Sequence, residues 1–594
     1  MTEGPVGDGL AGEGTAARPL DGGTAEATSS GRGAVVRGTQ TVAGAALLIT
    51  VVTLASRAVG FARWLAQAQF LGTGGIDGPF NTANTLPNLL FEVAAGGALA
   101  GAVVPLIAGP LSRAASSGPG AVQARAQASR SASALLCWAL IVLVPLGVLT
   151  ALLARPLIEL LPAAAATDEA TRLVMVDAAT RFLRVFSVQI PVYGVAVVLG
   201  GILQARRRFF WPAFAPLVSS VVVIGVYAVF SVVAGGRQGD VGALSRSAFD
   251  WLAWGTTVGV AFLALPLLLP VRATGLRLRP TLRFPQGEGR RAARLAFAGI
   301  GALVAQQASV FVMMRSAIAM GDMSLWTVYL WAQQVYLLPY AILAFPIATS
   351  SFPHFTAHAA AGRTAELRAL VASTTRTLVL AIGAGVAALI AAAPFVQQVF
   401  EVISRGEGAA GLAAGLTWMA PGLIGFALIL HLSRALYAVD AGRAAVTATA
   451  AGWLVVVVAA LAVPRVAAGS SDGIVPWSTA LSLLGASGTA GMVVAGAGLL
   501  IAVRRRLGPG SLAGVPVSLA VVAVGAALGA LVGRQVPVPA GGGGVGAFGT
   551  AIGLGVLAGG IAVVVVLVVA MADPALRVRV AGLGTGLVRR LRRG

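Results

Sequence analysis

Two arginines stand inside an apolar run. The stretch Ser56-Arg57-Ala58-Val59-Gly60-Phe61-Ala62-Arg63 lies within the segment from Ala43 to Leu71. A cation at membrane depth costs at least about 2.5–3.5 kcal/mol on insertion scales, so it faces a water-filled cavity or a partner. Six residues separate the pair, about 9 Å along a helix and about 120° around it, so the two can border one cavity at two depths. The next apolar segment carries Asn81, Asn84, Asn88 and Glu92 at i, i+3, i+7 and i+11, one polar stripe on a helix. A polar stripe in an apolar segment faces the interior of a bundle. Glu92 offers the arginines one partner, and an ion pair with it is the plainest alternative to an open anion site.

Further intramembrane polar residues are Gln189, Gln306, Gln307, Arg315, Gln333, Gln334 and Arg434. A lone Asn or Gln reads first as helix–helix glue, amide pairs contributing about 0.6 kcal/mol each. Arg315 and Arg434 fall near helix ends, where a long side chain snorkels to the interface.

Composition says what must hold these residues. The 594-residue chain is 57% hydrophobic and 11% charged, with a mean hydropathy of +0.88, where soluble domains carry about 25% charged residues. A polytopic, all-α integral membrane protein follows. The net charge of +21 is carried by arginines in short loops rather than by a basic domain, so it speaks for topology and against nucleic acid as a partner. The single Cys137 excludes disulfides within the chain, and His354 and His358 make no metal cluster. No GxxxxGK[ST] loop or catalytic triad is present, so neither an ATP-driven pump nor an enzyme is expected, and no catalytic residue, metal or cofactor is assigned.

In chain order, residues 1–39 lack an apolar run and read as a disordered cytoplasmic tail, with no signal peptide. Fourteen segments long enough to cross about 30 Å of hydrocarbon then follow, near 43–70, 79–109, 131–154, 180–204, 211–235, 249–271, 292–319, 324–352, 369–393, 411–437, 443–463, 474–503, 512–533 and 546–572. The last two are Gly-rich and could be tilted or broken. Arginine-rich loops alternate with loops holding Asp77, Glu159, Asp168, Asp240, Asp322, Glu401 or Asp472, which puts both termini in the cytoplasm.

An offset of six helices recurs. Gly147-Val148 with Pro156 echoes Gly385-Val386 with Pro394, Leu86-Pro87 echoes Leu338-Pro339, and Leu203-Gln204-Ala205 echoes Leu436-Tyr437-Ala438. Two six-helix lobes follow, with a site between them near the midplane, as in secondary transporters. The expected parts are an N-lobe at 40–272, an Arg-rich cytoplasmic linker at 273–291, a C-lobe at 292–503, two added helices at 504–572 and a basic cytoplasmic tail at 573–594. Pro87, Pro191, Pro339, Pro346 and Pro353 are expected to kink helices.

These residues resemble a known family. Ser56-Arg57-x-x-Gly60-Phe61-x-Arg63, Phe70-Leu71-Gly72, Phe80 and Leu86-Pro87-Asn88-Leu89-Leu90 are similar to the opening of the MurJ/MviN lipid II flippases of the MATE-like MOP superfamily. Gly201-Ile202-Leu203-Gln204-Ala205, Trp211-Pro212-Ala213-Phe214-Ala215-Pro216, Leu338-Pro339-Tyr340, Phe352-Pro353 and Arg434-x-x-Tyr437-Ala438-x-Asp440-x-x-Arg443 continue the likeness over about 43–450. The resemblance implies a divergent actinobacterial-type member in the bacterial plasma membrane. It implies movement of an undecaprenyl-pyrophosphate-linked peptidoglycan precursor from inner to outer leaflet by alternating access, with the added helices forming a groove for the lipid tail. It places Arg57 and Arg63 on the family's two helix-one arginines, which suits a pyrophosphate.

The chain departs from the pattern at Phe91-Glu92, where the family has arginine, at Gly96-Gly97-Ala98, and at Gln333-Gln334, where it has an acid and an arginine. The expected substrate-binding residues are Arg57, Arg63, Asn84, Asn88, Glu92 and Gln334, the expected partners a lipid-linked substrate, membrane lipids and cell-wall synthesis proteins. The competing readings are a flippase of another polyprenyl-linked glycan, a MATE-like drug/cation antiporter using Glu92, and a non-transporting scaffold.

Overall fold

The computed structural model describes residues 29–93, 98–114, 120–162, 168–285, 288–290, 300–404, 408–469, 475–539, 544–578 and 580. Most of the tails at 1–39 and 573–594 lies outside them. Helix α1 (Ser29–Leu71) begins within the stretch read as a tail. It is followed by α2 (Asp77–Phe91), α3 (Ala98–Ala114), α4 (Ala121–Leu152), a short α5 (Ala154–Glu159), α6 (Glu169–Phe186), α7 (Gln189–Ala205), α8 (Phe210–Val233), α9 (Arg246–Ala261) and α10 (Leu265–Arg272). After the linker come α11 (Ile300–Met320), α12 (Met323–Pro339), α13 (Phe345–Ala360), α14 (Thr364–Ile403), α15 (Leu412–Met419), α16 (Gly422–Ala438), α17 (Gly442–Gly469) and α18 (Trp477–Leu507), then α19 (Val515–Gly533) and α20 (Val545–Ala570).

Among the described residues, eleven helices are long and apolar enough to cross a membrane, or twelve if the pair α15 and α16, bent by 46°, is one span. The expected segments 43–70 and 79–109 both include residues whose side chains or backbone lie outside the described set. The Gly-rich last two segments are unbroken helices.

The prolines act where the backbone can absorb them. After Pro87 the chain passes into a π-helical turn at Glu92 and Val93, and after Pro339 into one at Tyr340–Ala344. A proline removes one backbone donor, and a wider π turn is one way to restore the ladder beyond it. Each turn follows the proline of a Leu-Pro pair, by five residues in the first case and by one in the second.

In the N-lobe α2 packs on α6, α8 on α9, and α3 on α4 and α7. Phe80, Phe182, Phe186, Tyr227 and Phe249 form a ring cluster there, the Phe80 contacts edge-on at 5.5–5.9 Å. In the C-lobe α18 lies against α16 and α17, and α14 carries α19 and α20. Small residues allow these approaches: a Cβ at Gly452 would come within 2.6 Å of the Gly491 carbonyl oxygen, and one at Gly491 within 2.5 Å of that of Gly452.

The linker is held. Backbone N–H groups of Arg277, Arg279 and Thr281 donate to Ser129 Oγ, Ser133 Oγ and Cys137 Sγ, at 3.3, 3.0 and 3.4 Å. Two extended residues advance about 6.6 Å and four helical residues about 6 Å, so the extended chain and α4 stay in step.

Replacing Gly452 by Val should destabilise the protein by about 1–3 kcal/mol through overpacking, whereas Gly488→Ala, with nothing within 4 Å of its Cβ, should be neutral or slightly stabilising. Thermal unfolding in detergent tells the two apart.

Candidate functional site

Helices α1 and α2 build a cavity of about 380 Å³ against α7, α8, α9, α11 and α12. Arg63, Asn84, Asn88 and Glu92 all line it, as do Tyr193, Ser219, Ser220 and Gln307. The stripe on α2 therefore faces the interior, as its spacing predicts. Arg63 Nε and Asn84 Oδ1 are buried there without a hydrogen-bond partner, so the cavity wall offers both a donor and an acceptor. Asn88 turns its amide back to the Asn84 carbonyl oxygen at 2.8 Å, and the Arg63 guanidinium lies 5.4 Å from the Trp64 ring centre. Among the described residues no ion pair joins Arg57 or Arg63 to Glu92.

Arg57 lies at a second cationic position. Its guanidinium sits 5.5 Å from the centre of the Phe345 ring, and that of Arg434 sits 5.9 Å from the same ring. Arg434 also donates to Thr349 Oγ1 at 3.0 Å. Arg434, expected to snorkel, thus shares the Phe345 ring with Arg57, each making a cation–π contact. The chain spacing could not show this, because Arg57 and Arg434 belong to different lobes. Gln334 is half-buried on α12 and does not line the polar cavity, and Arg315 is exposed. Gln333 lines a separate C-lobe pocket with Gln306, Tyr329 and Trp453.

Hydrogen bonds tie α1, α2 and α12 together at the cavity wall. Asn81 Nδ2 donates to Thr327 Oγ1 at 2.9 Å, Trp326 Nε1 to Thr85 Oγ1 at 3.0 Å, and Gln67 Nε2 to Asn81 Oδ1 at 3.1 Å. Asn81 thus lines the cavity while held by Gln67 and Thr327. Gln67 went unnamed in the sequence reading, although it stands one helical turn from Arg63 on the same face. At the start of α2, before the expected span, Asp77 Oδ1 accepts from the Gly75 N–H at 2.9 Å and from Ser324 Oγ at 3.2 Å. Its other oxygen is buried without a partner. Burial pushes the Asp77 carboxyl up to about 7, against its hydrogen bonds and with help from the charge of Asp322.

On the other side of α1 lies a groove of about 1210 Å³. Phe61 and Leu65 of α1, Leu338 and Pro339 of α12, and the facing sides of α14 and α20 line it, with Thr377 the one hydroxyl-bearing wall residue among the described residues. A groove of that composition takes hydrocarbon.

A family model described as "Lipid II flippase MurJ" matches residues 67–538. A curated protein of Rhizobium meliloti (strain 1021), a probable lipid II flippase MurJ, is 26% identical over 59% of this chain and 61% of its own. The chain spans less than two thirds of the curated relatives it matches first. Among solved structures, a lipid II flippase MurJ in an inward closed conformation aligns with TM-score 0.62 at 16% identity, covering 87% of this chain and 98% of its own. An inward-facing multidrug resistance MATE transporter of the MOP superfamily aligns with TM-score 0.58 at 15% identity, over 78% and 98%.

The Asp77 contact should depend on pH. A carboxyl raised above its ordinary value of about 3.9 stabilises the closed contact fully below that pH and loses this as pH rises through about 7. Spin labels placed on the two lobes at this end should therefore move apart between acid and neutral pH. Asp77→Asn should flatten the titration, and a wild-type distance unchanged across this range would contradict the assignment.

Proposed function

The chain belongs to the MurJ lipid II flippase family, a family of membrane transporters rather than enzymes, and on that premise we propose that it moves an undecaprenyl-pyrophosphate-linked peptidoglycan precursor from the inner to the outer leaflet of the plasma membrane. The observation that carries this reading is the position of α1. Within five residues it presents Phe61 and Leu65 to an apolar groove and Arg63 and Trp64 to a polar cavity. A wall shared in this way suits an amphiphile with an anionic head and a long hydrocarbon tail.

The pyrophosphate engages guanidinium forks from Arg57, Arg63 and Arg434, each capable of charge-assisted, bidentate bonds to phosphate oxygens. Arg434 supplies a cation that Phe91 and Gln334 do not. Asn84 and Asn88 bond the uncharged part of the head, and the tail stays in the groove beside α20. With both termini in the cytoplasm, the contacts of Asp77 and Asn81 seal the extracytoplasmic end, and alternating access breaks them while closing the opposite end.

One observation favours a second reading, proton- or cation-coupled export of small molecules. Glu92 lines the cavity without an ion pair among the described residues, and the fold is shared with a MATE transporter. Transport that requires Glu92 and leaves lipid II where it is would select it.

Arg57→Ala should reduce lipid II translocation in proteoliposomes to the protein-free rate while leaving thermal unfolding unchanged. Arg57→Lys, which keeps the charge and loses the fork, should restore only part. Wild-type rates in Arg57→Ala would end the role assigned to this arginine.

A further inference from the structure

Away from both the cavity and the groove, three elements of the N-lobe bring arginines to one place. Arg206 caps α7, and the chain then turns through Arg207 at φ 59°. The Arg208 N–H reaches back to the Leu203 carbonyl oxygen at 2.8 Å. This helix-ending turn is one that glycine adopts without strain, yet it is filled by consecutive arginines. Arg206 donates to the Thr274 carbonyl oxygen at 3.0 Å, and Arg125, from the first turns of α4, donates to the same oxygen at 3.4 Å. Thr274 is itself fixed in the turn after α10, its hydroxyl donating to the Val271 carbonyl oxygen at 2.6 Å. The next residue, Gly275, has φ +71°, and a Cβ there would come 2.7 Å from an Arg125 terminal nitrogen. The backbone is shaped to let that guanidinium lie against it.

The charges do not balance. Among the described residues no ion pair involves Arg125, Arg206 or Arg208. The neighbours that act on Arg206 electrostatically are Arg125 and Arg208, and burial together with these like charges holds its basicity below the ordinary value. Arg206 Nε is buried without a hydrogen-bond partner. Two guanidiniums sharing a neutral oxygen, with a third nearby and a donor left over, make an arrangement suited to an anion. Beside it stand Phe209, Phe210, Trp211 and Phe214, three of them in mutual ring contact at 5.3–6.2 Å, the residues that settle at a membrane–water interface.

We propose that Arg125 and Arg206, which share the Thr274 carbonyl oxygen, form with Arg208 of the adjoining turn a phosphate-binding site at the arginine-rich rim beside α4, α7 and α10, distinct from the central cavity. Its ligand is a phosphate group, presented by an anionic lipid headgroup or free in solution. Bound there, the phosphate ties together the ends of α4, α7 and α10.

The test uses the full chain in phosphatidylcholine nanodiscs. One arm adds phosphatidylglycerol and counts co-purified lipid by native mass spectrometry; the other titrates inorganic phosphate and follows thermal unfolding. The double variant Arg125→Gln/Arg206→Gln should weaken retention about tenfold or more, while Arg130→Gln, which removes an exposed arginine elsewhere on α4, should retain lipid as wild type does. Arg206→Lys, which keeps the charge, checks that loss is not misfolding. Retained lipid with no response to inorganic phosphate assigns the site to headgroups, and displacement of lipid by inorganic phosphate assigns it to phosphate from either source. Equal retention and equal phosphate response in wild type and the double variant would overturn the proposal.

Discussion

A guanidinium inside an apolar helix must face something other than hydrocarbon, and most of the structure around α1 follows from that requirement. Arg63 opens onto a cavity whose other walls come from six further helices, while Arg57 and Arg434 lie against the same phenylalanine ring. Neither arginine is neutralised by a carboxylate among the described residues. An anion brought to them would offset the cost of holding them unpaired. The other face of α1 is apolar and closes the groove. One helix thus separates and aligns the two environments an amphiphile needs.

The lobes meet through groups chosen to hold and to let go. Amide and hydroxyl contacts such as Asn81 to Thr327 and Trp326 to Thr85 contribute modestly in a membrane protein, and a rocking motion can exchange them. Asp77 differs, because it is fully buried with one oxygen unsatisfied. The paired π turns after Pro87 and Pro339 lie just beyond the hydrogen-bonded half of α2 and α12, where each helix has already given up regular geometry.

Much of this was legible in the sequence. Arg63, Asn84, Asn88 and Glu92 share a cavity because a helical period placed them on one face and an apolar context turned that face inward. What escaped were relations between distant segments. Arg434 looked like a helix-end residue that reaches for water, and only packing shows that Phe345 brings it to Arg57. Gln334 looked like an eroded cavity position, yet α12 turns it away, and its neighbour Gln333 faces a C-lobe pocket instead. Gln67 passed unnoticed within its apolar run, though its place one turn from Arg63 was a usable signal. The span count differs for a plainer reason, since the first two expected segments are described only in part.

The central claim is that an anionic head and a long hydrocarbon tail are carried together, on opposite faces of α1. The most direct measurement is the rate at which the purified chain in liposomes exposes lipid II to the outer leaflet, compared with an analogue of identical head and sharply shortened tail. The account predicts clear acceleration over protein-free vesicles for full-length lipid II and a much smaller one for the short-tailed analogue. No acceleration for lipid II, together with coupled export of small cations, would contradict it.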